Sequence, residues 1–220
     1  MGNRLHHQKI RTGSDLKRLT RSSYTSGLKY LRRKDRDLAR IIAKHGNPPM
    51  WVRRPGFPTL LWIILEQQVS LASARAAFNK LLNASKPLSP SHFLTFNDSV
   101  LKRFGFSRQK TAYGRNVARA IISGELRLHK FGQMNTQAIR EELMKIKGIG
   151  IWTADIYILM ALRRQDVWPS GDLALAVGVQ KLRRMRNRPS PMQLERMSLK
   201  WQPWRSVAAR IVWHYYLNNF

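Results

Sequence analysis

The chain has 220 residues, enough for one large domain or two small lobes around a real core. Its 40 Lys and Arg against 12 Asp and Glu leave a formal charge of +28. That excess points to a polyanion, with nucleic acid ahead of acidic membrane. The absence of Cys excludes disulfides, Cys-ligated zinc and a Cys-ligated iron–sulfur cluster. The longest apolar run, Leu60 to Leu65, is far too short to span a bilayer.

Residues 1–33 are polar and basic, with Asp15 as the one acid and few apolar residues. They read as a basic arm, flexible or loosely helical, and residues 34–220 as the folded domain. No apolar signal-peptide core follows the early cations. The arm's Arg/Ser-rich, acid-poor composition is also that of an organelle transit peptide.

Lys34 to Lys44 carries Leu38, Ile41 and Ile42 on one face, a first core helix that stops at Gly46 with Pro48 and Pro49 beyond. Thr59 is placed to cap a long central helix from Leu60 to about Asn83. Glu66, Gln67 and Gln68 interrupt its apolar run, and polar residues there need partners or an open cleft. A short helix, Ser91 to Phe104, precedes Gly105. Another, Thr111 to Ser123, follows it, with Lys110, Arg115 and Arg119 on one face.

Asn135 or Thr136 caps the next helix. Ile139, Leu143 and Ile146 precede Lys147-Gly148-Ile149-Gly150, and Ile151, Ala154, Ile158 and Leu162 follow at helical spacing. The glycines permit positive φ and close approach of a partner. The amides that open the second helix are free to hold a phosphate. A plain αα-hairpin fits the same residues. Asp172 opens the next helix after Trp168-Pro169-Ser170-Gly171, as a cap, as a carboxylate facing a cleft, or as both at once. A basic loop (residues 183–191) and helices Met192–Lys200 and Val207–Leu217 complete an all-α chain with no strand pattern and no repeat. Among the other acids, Asp155 reads as a surface or structural residue, Asp166 as a turn residue and Glu66 as a second cleft carboxylate. No set of side chains has metal-ligand spacing.

Four stretches carry a resemblance: LEQQVSLASARAAFNKL, KGIGIWTAD, DVWPSGDLAL and WQPWRS. Together they resemble the helix-hairpin-helix DNA glycosylase superfamily, most of all its 3-methyladenine, alkylation-repair branch. The resemblance implies two helical lobes with a cleft between them and Asp172 as the catalytic carboxylate. It implies Lys147, Gly148, Ile149, Gly150 and Thr153 as the hairpin that binds DNA. It places Trp152, Gln67 and Trp213 at the base pocket and Gln68 or Val69 as the wedge. The partner implied is double-stranded DNA with damaged bases, bound by a monomer and not at a membrane. No cofactor is expected beyond a monovalent cation at the hairpin carbonyls. The compartment would be the bacterial cytoplasm and nucleoid or the eukaryotic nucleus. Relatives that also cut the strand carry Lys where this chain has Trp152, so a monofunctional enzyme is expected. The other readings are a glycosylase for oxidised, deaminated or mismatched bases and a non-catalytic DNA-binding module.

Overall fold

The computed structural model describes residues 16–220. Among them are twelve α-helices and no strand, only an isolated bridge between Arg18 and Arg164. The chain runs α1 (Arg21–Lys34), α2 (Arg36–His45), α3 (Phe57–Glu66), α4 (Leu71–Ala84), α5 (Pro90–Thr95) and α6 (Asp98–Phe104). It continues α7 (Arg108–Ile122), α8 (Thr136–Met144), α9 (Ile151–Met160), α10 (Leu173–Leu182), α11 (Pro191–Ser198) and α12 (Arg205–Asn219). One lobe is built from the chain's two ends, with α1, α2 and α10 packed around α12. The middle of the chain forms the other, where α3 packs on α4, α7 and α9, and α8 on α9. The two meet along α9. Tyr157 there accepts Gly56 N–H at 3.0 Å, and buried Arg210 of α12 donates to the Leu159 carbonyl at 3.1 Å. Burial pulls the Arg210 guanidinium down to about 10. It is held by carbonyls of Met50, Ser206 and Leu159 and has no carboxylate partner among the described residues.

Four expectations are corrected. The loose arm does not extend to residue 33. Residues 1–15 lie outside the described residues, but Leu19, Tyr24, Leu28 and Leu31 are buried. Tyr24, Leu28 and Leu31 share one face of α1, a spacing that the surrounding cations obscured. Thr20 and Ser23 close a capping box at its start, and the Leu19 amide donates to the Arg163 carbonyl at 2.7 Å. The long helix from Leu60 is two helices, separated at Gln67–Ser70, where Gln68 takes φ +56°. Ser70 caps the second piece. Thr59 caps nothing, since α3 already begins at Phe57 with Pro58 in its first turn. The helix read over Ser91–Phe104 is likewise two, α5 and α6, with Asn97 capping the second.

Candidate active site

A cleft of about 1350 Å³ opens between the two lobes. Its walls come from the Gln67–Ser70 turn, the start of α7, the turn between α8 and α9, and the start of α10. Asp172 lies at its floor, 8 % exposed. It caps α10 by accepting the Leu175 amide on Oδ1 at 2.8 Å. Two indoles also bond it, Trp213 Nε1 on Oδ1 at 3.0 Å and Trp152 Nε1 on Oδ2 at 2.9 Å. No Lys, Arg or His pairs with it among the described residues. The carboxylate is thus fixed by three neutral N–H donors while its negative charge stays unmatched. Neutral donors fix its position without supplying a counter-charge. Cap and cleft roles therefore coincide at one residue.

The hairpin turn is shaped by two glycines used differently. Gly148 has φ +108°, and a Cβ there would sit 2.3 Å from the Tyr113 ring of α7. Gly150 has φ −91° and open space around it. The expected positive φ therefore holds at Gly148 and not at Gly150. Gly150 is the N-cap of α9 and offers no side chain to its first amides. Those donors, with the positive end of the helix dipole, face the open side of the turn. Ile149 is buried and locks the turn to the core, so its side chain is not among those the hairpin presents to DNA. Lys147 is exposed, and its carbonyl accepts Asn116 Nδ2 at 3.1 Å.

Gln67 crosses from the other wall. Its amide donates to the Gly148 carbonyl at 3.0 Å and to Thr153 Oγ1 at 2.9 Å. It lines the cleft, but its donors are spent on the hairpin. Thr153 is 1 % exposed, so its hydroxyl is a support for Gln67 and is not presented to DNA. Trp152 lines the cleft, half-buried. Trp213 does not; at 7 % exposed it stands behind Asp172 and positions it. Gln68 and Val69 sit exposed at the rim.

Glu66 is not a second free carboxylate. Arg53 grips it through two bonds of 2.9 and 2.6 Å, and the guanidinium stacks 4.3 Å from the Trp62 ring centre. Asp166 receives the backbone and guanidinium of Arg205, the turn role expected of it. Asp155 is buried against Arg140, and burial raises its carboxyl to about 6 although Arg140 opposes the rise. No group of His, Cys, Asp and Glu suited to a metal ion occurs among the described residues.

Sequence reading missed Lys110 and Tyr113. Lys110 was assigned to a basic face, and Tyr113, three positions on, shares that face of α7. Lys110 Nζ instead reaches the Leu65 carbonyl at 2.6 Å, and burial lowers its basicity. Tyr113 could not be assigned without the fold, because its partner Gly148 is remote in the chain.

Residues 61–203 match the family model of the HhH-GPD superfamily base excision DNA repair proteins. The chain belongs to that superfamily. DNA-3-methyladenine glycosylase 1 of Schizosaccharomyces pombe is 27% identical over 180 residues, covering 80% of this chain and 79% of that protein. A DNA-3-methyladenine glycosylase of Bacillus subtilis is 29% identical over 169 residues, 71% of this chain but only 56% of its own length. The solved S. pombe enzyme Mag1 in complex with abasic DNA superposes with a TM-score of 0.80 at 26% identity, over 86% of this chain and 95% of that one. The matched residues include the turn between α8 and α9 and Asp172.

Proposed function

We propose that this protein is a monofunctional DNA glycosylase that removes N-alkylated purines from duplex DNA in base excision repair. The observation that carries this reading is Asp172, a cleft carboxylate held by Trp152, Trp213 and the Leu175 amide with no cation beside it. Breaking the bond between C1′ and the base nitrogen sends the electron pair out with the base and leaves positive charge on the sugar. A fixed, unmatched carboxylate in a sheltered cleft stabilises that charge as it forms. The cationic base leaves neutral; water then bonds to C1′ through its oxygen and passes one proton to the Asp172 carboxylate, which returns it to solvent. An alkylated purine is already cationic, so it leaves readily and favours the electron-rich face of Trp152.

The flipped nucleotide must first leave its stack, at a cost of a few kcal/mol. The amides after Gly150 would grip its phosphate from the open side of the turn. Gln68, with Val69 beside it, would fill the gap in the duplex. Carbonyls of Lys147 and Gly148 already accept amide donors from Asn116 and Gln67. Each carbonyl keeps a second lone pair, so a monovalent cation would still be held by the carbonyls of the turn. The protein would act as a monomer where genomic DNA is kept.

The decisive assay is base release from methylated duplex by the Asp172→Asn variant. Undiminished release would refute the assignment. Trp152 has no amine to form a Schiff base, and Lys110, the cationic side chain in the cleft wall, is tied to the Leu65 carbonyl. Borohydride should trap no covalent adduct with abasic DNA; a trapped adduct contradicts the monofunctional reading.

A further inference from the structure

The cleft accounts for little of the charge. Among the residues lining it, Lys110 is the one cationic side chain. A denser set of cations lies at the other end of α10. Asp172 stands at the start of that helix and Leu182 ends it, 10 residues later. That span is about 15 Å. There the chain enters Arg183 to Arg188, whose first residue reaches the junction of α1 and α2. Arg183 Nη2 bonds Asp35 Oδ2 at 2.7 Å and Nη1 bonds Asp37, while Lys200 reaches Asp35 at 2.8 Å.

Through Arg183, these contacts join two cationic segments. The first holds Arg32, Arg33, Lys34 and Arg36, all exposed. The second holds Arg184, Arg186 and Arg188, also exposed. The nearby carboxylates are already taken. Asp35 is buried under Arg183, Lys200 and the Trp201 indole, and Asp37 is paired with Arg183 and Arg40. None of the seven exposed cations has a carboxylate partner among the described residues.

The second segment is also held in shape. The Met185 amide donates to the Gln180 carbonyl at 2.9 Å, and Gln180 Nε2 donates back to the Arg186 carbonyl at 3.3 Å. Arg184 takes φ +52°, Pro189 is buried, and Ser190 caps α11 with a reciprocal bond from Gln193. A cationic loop fixed this way keeps its guanidinium groups together despite their repulsion. Arginines presented so are suited to phosphate oxygens.

We propose that this face, formed by the end of α1, the start of α2 and the loop after α10, is a second binding site for the phosphate backbone of DNA, separate from the cleft. It rests on the reading of the protein as a DNA enzyme. The phosphates come from the flank of the duplex held in the cleft or from a second duplex.

The test uses the full chain and two triple variants, Arg184→Gln/Arg186→Gln/Arg188→Gln and Arg32→Gln/Arg33→Gln/Arg36→Gln. Each is measured on undamaged duplex of about 40 base pairs, and on a duplex of about 12 base pairs carrying an abasic-site analogue. Each triple should lose about 10-fold in affinity for the long duplex, with a salt slope shallower by about 2 to 3, since each phosphate contact adds roughly 0.9. Binding of the short analogue should not change. If the source is a flank, the parent's gain in affinity with length disappears in the variants. If it is a second duplex, the parent saturated with the short analogue takes up another undamaged duplex and the variants do not.

Variants that keep both behaviours overturn the proposal. So does equal weakening on both duplexes, which would place these residues in the cleft's own footprint. Displacement of long duplex by polyglutamate as effectively as by DNA would assign the face to an acidic protein instead. Should the loop triple fail to fold, the α1–α2 triple decides alone. Binding to undamaged DNA needs no base excision, so the result stands whatever Asp172→Asn does.

Discussion

Two buried carboxylates open helices in this protein and have different surroundings. Asp172 caps α10 and Asp35 caps α2. Each accepts indole N–H, from Trp152 and Trp213 in one case and Trp201 in the other. Asp35 also has Arg183 and Lys200 against it; Asp172 has no cation. A carboxylate neutralised in place ties segments together. One fixed only by neutral donors keeps a charge that a reacting sugar can use. The distinction lies in the partners, since burial and capping are the same at both.

The largest expected effect tests the unmatched side. Asp172→Asn should lower single-turnover excision by about 10²- to 10³-fold, the range for loss of one preorganised electrostatic group. Its melting temperature should move little, because the Asn oxygen keeps the Leu175 and Trp213 bonds and only the half-buried Trp152 N–H loses its acceptor. Asp35→Asn should do the reverse. Stability should fall by about 2 kcal/mol, less than for a fully buried pair because Arg183 and Lys200 still reach water. Excision per folded molecule should be unchanged. A large loss of excision in Asp35→Asn, or of stability in Asp172→Asn, would break the comparison.

Acid sharpens it. Burial alone would raise the Asp35 carboxyl, but Lys200, Trp201 and Arg183 outweigh it and hold the group far below its usual value of 3.8. Its contribution to stability is therefore present above 3.8 and is lost as pH falls below that value. Asp155 runs the other way. Burial raises it to about 6, so the contribution of its protonated form is present below 3.8 and lost as pH rises through 6. Denaturant unfolding across pH should show Asp35→Asn less sensitive than the parent below 3.8. Asp155→Asn should be less sensitive between 3.8 and 6. An unaltered profile in either variant removes that residue from the account.

The residues that sequence reading placed well are those whose surroundings are local. The hairpin lies within six residues of two periodic helices, and Asp172 caps the helix it precedes. Where the partner is distant, the sequence does not show the role. Trp213 reads as a base-stacking ring until the fold turns its N–H toward Asp172. Thr153 reads as a DNA contact until Gln67 arrives from the opposite wall. The break at Gln67–Ser70 carries no Gly or Pro, so the apolar run on either side reads as one helix. Only the fold shows Gln68 in a left-handed conformation at the rim.

The two hairpin glycines give the smallest and most selective contrast. Gly148→Ala places a methyl group 2.3 Å from the Tyr113 ring at φ +108°. Either the ring moves or the turn does, and stability should fall by about 2 kcal/mol, as for other strained insertions into packed sites. Gly150→Ala meets no atom within 4 Å at an ordinary backbone angle. Its effect on stability should stay within about 0.5 kcal/mol. Yet that open space is what a phosphate would need to reach the amides of α9. Gly150→Ala should therefore weaken binding to abasic duplex about 5-fold, on the order of 1 kcal/mol, within the range for a lost helix-end contact to an anion. Calorimetry and binding on the same two proteins separate the roles. Equal binding by parent and Gly150→Ala would mean that the phosphate is gripped elsewhere and that the turn serves only to join α8 to α9.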